Sequence, residues 1–286
     1  MCCLILTIGP LCRCDWAMRY TLPLLLIALA LPADAAGTKD DYVATRLDGS
    51  VTSPGRTAGM GHREDPVQRF VNSNISETLY HELGHLLIDV LDLPVFGPEE
   101  FAADMFATVM INRMHDEDAA VAITYDVAAA YDAGAVKERT AGDAPALWDV
   151  HGPDRQRYYN LVCMMYGANP DEREDVAAEL GLPEQRMRTC EDEYQMTARA
   201  WGEVLDDLGK DAPGQSLKMD WMLDAQSPVT RFVADEIARI NAMISLPQDV
   251  SVSVISCDEV NAYYDPGVRE IIICTEMAEH LAALAE

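Results

Sequence analysis

Between Val71 and Leu93 the chain reads VNSNISETLYHELGHLLIDVLDL, with Leu79, Leu83, Leu86 and Leu87 three and four residues apart, the spacing of one helical face. The pattern predicts a helix there. Regular structure is expected from about Pro66, with Asn72, Ser73 or Asn74 as cap and Pro94 just past the end. The turn PVFGPE bends at Gly97 and places Pro98 at a first helical position. EEFAADMFATVMINRM then predicts a second helix carrying Phe101, Met105, Phe106, Val109 and Met110. Residues 117–147 are alanine-rich and read as helical, and HGPDRQRYYNLVCMMYG as a loop, an Asp154 cap and a helix closed by Gly167. PEQRMRTCEDEYQMTARAWGEVLDDL and PVTRFVADEIARINAMISL predict two more helices. Near the C-terminus the period changes. VSVSVISC alternates, VREIIIC is rich in β-branched residues, and DEVNAYYDPG joins them, which predicts a late β-hairpin. The expected fold class is therefore mainly α with a small β-hairpin or sheet (α+β), in a single domain over residues 66–286.

The first helix breaks its own apolar rule at His81, Glu82 and His85. Positions i and i+4 stack on one helical face, so both imidazoles can aim a ring nitrogen at one zinc ion. Glu82 lies about 100° round from His81, within reach of a water at the metal's open position without ligating the metal. This is the H-E-x-x-H pattern of zinc peptidases, in which the glutamate is the general base. The competing explanation is a solvated edge with a surface carboxylate. The leucines around the site count against it, because unpartnered polar burial is costly.

A catalytic zinc takes three protein ligands. In GPEEFAADMFA, Glu100 and Asp104 again share a face. Glu100 is the expected third ligand, ahead of Glu99, because only Glu100 has a carboxylate one turn on. Asp104 would fix the tautomer of a ligand histidine. Glu99 and Glu100 would also favour the helix N-terminus electrostatically without any metal. A donor to the oxyanion is needed too. His151 is the leading candidate, followed by Tyr158, Tyr159, Tyr263 and Tyr264, against the plainer expectation of an exposed loop histidine and core tyrosines. His62, His115 and His280 have no supporting context.

The first 35 residues change the composition that matters. Met18-Arg19-Tyr20 precedes TLPLLLIALALPADAAG, which reads as an export signal cleaved near Ala35, with Met18 as the true start. Residues 36–65 read as a flexible, glycine-rich tail. Removing residues 1–35 takes two basic and two acidic residues from totals of 21 and 48 and leaves the net charge at −27. A surface so acidic repels nucleic acid, and no later segment reads as membrane-spanning. The cysteines left are Cys163, Cys190, Cys257 and Cys274, which permit three disulfide connectivities. The local pairs Cys163–Cys190 and Cys257–Cys274 are favoured, and periplasmic or secreted localisation is expected.

HELGH followed by EEFAADMFA resembles the gluzincin arrangement, in which a glutamate four residues before Asp or Asn is the third ligand. LYHELGHLLIDVLDLPVFGPEEFAADMFA, DRQRYYNLVCMMYGANP, LPEQRMRTCEDEY and CDEVNAYYDPGVREIIIC together resemble a family of exported bacterial metallopeptidase-like proteins of unknown function. The resemblance covers most of residues 66–284. It implies a zinc-metallopeptidase fold with His81, His85 and Glu100 as ligands and Glu82 as base, acting on a peptide or protein substrate. In gluzincins a strand beside the cleft comes before the zinc helix, whereas here only the polar tail does. NAYYDPGVREIII resembles that strand segment, which suggests a permuted order with residues 250–274 against the zinc helix. The alternatives are a zinc-containing protein that holds peptides without cutting them, and a metal-free helical interaction domain.

Overall fold

The computed structural model describes residues 65–142 and 145–286. The expected export signal, most of the tail, and His62 lie outside the described residues. Eight helices and four strands follow in the order α1 (Pro66–Val90), α2 (Glu99–Met114), α3 (Glu117–Ala141), α4 (Asp154–Ala168), α5 (Pro170–Glu179), α6 (Glu184–Leu208), β1 (Leu217–Met222), α7 (Pro228–Met243), β2 (Val250–Ile255), β3 (Ala262–Asp265), β4 (Glu270–Cys274) and α8 (Thr275–Ala285). The fold is mainly helical with one small mixed sheet, the class expected from the sequence.

α1 is the central element, buried along almost its whole length from Val71 to Ile88. It packs against α2, α3, α7, α8, β3 and β4, so no face is left for solvent. Its start differs from the expectation. Asp65 caps it, accepting the Val67 N–H at 3.3 Å, while Ser73 and Asn74 lie inside the helix. Those two are spent on α3. The Ser73 hydroxyl donates to Asp126 Oδ2 at 2.8 Å, and Asn74 Nδ2 donates to the Phe70 carbonyl at 2.9 Å and the Asp126 carbonyl at 3.4 Å. Asp154 likewise begins α4 rather than capping it through its side chain.

The sheet corrects the expected hairpin. Its order is β1-β2-β4-β3, and β2 and β4 run parallel, not antiparallel. The hairpin is formed by β3 and β4, with Tyr263 opposite Ile272 and Asp265 opposite Glu270. β3 was concealed inside the joining segment. A chain leaving β2 must cross before it can return parallel, and here it does so by passing through β3 at the far side of β4. β1, also unassigned from sequence, joins β2 through α7 as a parallel β-α-β unit. β3 is an edge strand and lies against α1, together with β4. The sheet thus comes after α1–α6 in the chain yet packs beside the histidine helix, as a permuted order requires.

Two disulfides, Cys163–Cys190 and Cys257–Cys274, link α4 to α6 and the end of β2 to β4. Both are the pairs expected. No helix among the described residues is long and apolar enough to cross a membrane.

Candidate metal centre

The site exists because α1 and α2 touch without a spacer. A Cβ on Gly84 would stand 3.1 Å from Ala103 Cα and 3.2 Å from Phe106 Cδ1. This approach brings the first turns of α2 over His81 and His85. His81 Nδ1 lies 2.9 Å from Asp104 Oδ1, and His85 Nδ1 lies 2.7 Å from Glu99 Oε1. An ionised carboxylate only accepts, so each Nδ1 carries a proton and each neutral imidazole keeps its lone pair on Nε2.

Those two Nε2 atoms are 3.1 Å apart, and Glu100 Oε2 is 3.1 Å from one and 3.2 Å from the other. Three electron-rich atoms so close repel one another unless a cation or a proton lies between them. Around a tetrahedral zinc with bonds of about 2.0–2.1 Å, donors stand about 3.3 Å apart. Two imidazoles and a carboxylate at this spacing therefore fit zinc in both chemistry and size. In the chain by itself, protons take that place. Burial alone would depress His81, but its hydrogen bonds with Asp104 and Glu100 outweigh this and raise its pKa to about 10. Burial pushes Glu100 the other way, yet His151, His81 and His85 hold its carboxyl far below the usual range.

His151, on the loop before α4, reaches the same oxygen, with Nε2 2.9 Å from Glu100 Oε2. Its ring stacks with His81 at a centroid distance of 6.2 Å. His81, Glu100 and His151 consequently form a second donor trio that shares two members with the first. Glu82 is buried on the side facing β3, where the Tyr264 backbone N–H favours its ionised form. Burial raises the Glu82 pKa; the nearby histidines only partly offset this. A further group, Cys257, Cys274 and Glu276, is no metal site, because its sulfurs are joined to each other.

Behind His81 lies a chain of contacts that the sequence did not reveal. Arg157 on α4 donates twice to Asp104, at 3.0 and 2.6 Å. Its guanidinium sits 4.7 Å above the Tyr131 ring, and the Tyr131 hydroxyl donates to Glu77 at 2.9 Å. Glu77 precedes His81 by four residues, the one periodic hint available. Nothing in DRQRYY marks Arg157. Glu99, considered as a rival ligand and as a charge at the helix N-terminus, is the partner of His85.

Of the candidate tyrosines, Tyr158 is buried and donates to the Leu180 carbonyl at 2.8 Å, and Tyr159 lies beside Arg155; both are remote from the centre. Tyr263 and Tyr264 line an open cleft of about 950 Å³ that holds His81, His85, Glu100 and His151. The Tyr264 hydroxyl donates to Asp89 at 2.8 Å. A half-open pocket of about 400 Å³ adjoins the centre on the side of α3 and α8.

The chain belongs to the DUF4344 family, described as "putative metallopeptidase", whose sequence model matches residues 55–205 and 219–286. A search of the curated proteins and a search of the solved structures return no significant match.

Proposed function

We propose that the chain is a zinc-dependent peptidase in which His81, His85 and Glu100 hold the ion and Glu82 is the general base. One observation carries this reading: the 3.1–3.2 Å triangle of His81 Nε2, His85 Nε2 and Glu100 Oε2, with both Nδ1 protons committed to carboxylates. Family membership supports the peptidase class. When bound, zinc supplies Lewis acidity, polarising a peptide carbonyl and lowering the pKa of water. Glu82 takes the proton of the attacking water and delivers it to the leaving amine. Its buried position and raised pKa suit it to holding that proton between the two steps. The Tyr264 N–H favours the ionised form of Glu82. His151 is the candidate to steady the developing oxyanion once its Nε2 turns from Glu100 Oε2 to the substrate. The open edge of β3 faces Glu82, where an extended peptide can add as a further strand.

Two disulfides suit an oxidising compartment, which supports export to the periplasm or the medium. Within this reading, residues 1–35 are the export signal, residues 36–65 a tail, and residues 66–286 the peptidase domain.

The test is zinc stoichiometry and peptide-library cleavage for wild type and Glu82→Gln. One zinc per chain is expected in both, with cleavage reduced about 10²- to 10⁴-fold in the variant. Equal cleavage by the two proteins removes Glu82 as base.

A further inference from the structure

We infer that the half-open pocket beside the metal centre is a specificity site for a large aliphatic or aromatic side chain next to the bond that is cut. The inference rests on the peptidase reading for the identity of the ligand and on the pocket for its chemistry. His81, Glu82, His151 and Ala262 line both the cleft and the pocket, so the two spaces meet at the candidate reaction centre. A peptide lying in the cleft has a neighbouring side chain within reach of the pocket.

The walls are apolar. α3 contributes Val127, Ala130 and Ala133, and α8 contributes Met277, Leu281 and Leu284. The polar groups that reach the lining are mostly occupied with one another. Glu77 accepts from the Tyr131 hydroxyl, Arg157 holds Asp104 with two hydrogen bonds, and Asn74 donates to backbone carbonyls. Asp154 also reaches the lining, so a charged side chain that enters away from it loses its water without gaining a partner. An apolar one gives up only its hydration and gains contact on several sides. Lys137 and His280 are exposed, so they lie at the rim. At about 400 Å³ the space exceeds what any single side chain needs. Its size depends on alanines at positions 130 and 133, where larger residues would fill it.

Five peptides, acetyl-Ala-Ala-X-Ala-Ala-amide with X as Leu, Phe, Gly, Asp or Lys, are titrated calorimetrically into Glu82→Gln protein, whose zinc content is measured in the same samples. The Leu and Phe peptides are expected to bind at least tenfold tighter than the other three. Ala133→Phe, added to that background, should bring all five within twofold. Met277→Ala, which enlarges the pocket and serves if the first variant fails to fold, should shift the optimum from Leu to Phe. Equal affinities, no binding by any peptide, or a preference untouched by both variants overturns the inference. A preference that survives in protein lacking zinc removes the peptidase reading and keeps the pocket. One zinc per chain with a flat profile removes the pocket alone.

Discussion

Arg157 grips Asp104 edge-on, Nε to Oδ2 at 3.0 Å and Nη2 to Oδ1 at 2.6 Å, and Asp104 in turn holds His81 Nδ1 at 2.9 Å. The guanidinium is buried, and its fork leaves Asp104 one orientation. Burial would lift the Asp104 carboxyl, but His81 and Arg157 more than reverse this and keep it ionised. His81 is thereby presented in one tautomer and one rotamer.

Asp104→Asn should therefore weaken zinc binding by about 10–100-fold, the usual effect of losing a carboxylate behind a ligand histidine. The amide keeps the shape and can still accept from Arg157, so the fold should survive. Competition against a chelator of known affinity measures the change. Unaltered affinity would show that Asp104 plays no part in aiming His81.

Gly84→Ala tests the contact that assembles the site. The added methyl would meet Ala103 Cα at 3.1 Å and Phe106 Cδ1 at 3.2 Å, closer than ordinary packing allows. α2 must retreat by a few tenths of an ångström, which should cost about 1–3 kcal/mol in denaturant unfolding. Since Glu99, Glu100 and Asp104 ride on α2, zinc affinity should fall as well. A variant that is destabilised but binds zinc normally would mean that the interface absorbs the methyl elsewhere.

What the sequence discloses and what it hides divide along a physical line. His81, His85, Glu100 and Asp104 were legible because helical periodicity converts spacing directly into a shared face. The disulfides were legible because each pair closes a short loop. β3 was not, because four half-buried residues, AYYD, carry too little pattern to distinguish a strand from a connection. The parallel pairing of β2 and β4 is a choice of partner made in the tertiary fold, and no local signal encodes it. Arg157 and Tyr131 reach the centre from α4 and α3 only through tertiary folding. The contact of Glu99 with the outer nitrogen of His85 was not legible either, because it depends on how far α2 overlaps α1.

The disulfides should differ in what they protect. Cys163 and Cys190 are 27 residues apart and Cys257 and Cys274 are 17 apart, which predicts losses of about 3.5 and about 3 kcal/mol when each is removed by paired serine substitution. The second bridge ends on β4, the strand that carries β3 past Glu82. Its loss should also increase amide exchange at Tyr264, whereas loss of the first, on α4 and α6, should leave that amide protected. Equal exchange in both variants would detach the bridge from the site.

His115 gives a pH dependence separate from the metal. It sits at the end of α2 against Tyr80, whose hydroxyl is 3.0 Å from its Nε2 and also donates to Glu236 at 2.7 Å. Burial and the neighbouring Arg239 charge lower its pKa from 6.5, with Glu236 and Asp116 opposing more weakly. The native state thus favours neutral imidazole, and the unfolded chain binds the proton first as pH falls. This contribution is complete above the unfolded pKa of about 6.5, declines as the pH drops below it, and stops changing once the pH passes beneath the folded pKa. Denaturant unfolding of the zinc-loaded protein from about pH 7.5 to pH 5 should show wild type losing stability more steeply than His115→Gln. The glutamine retains a polar partner for Tyr80 but cannot titrate. Parallel curves for the two proteins would place the source of any acid sensitivity elsewhere, and a steeper curve for the variant would reverse the sign assigned to His115.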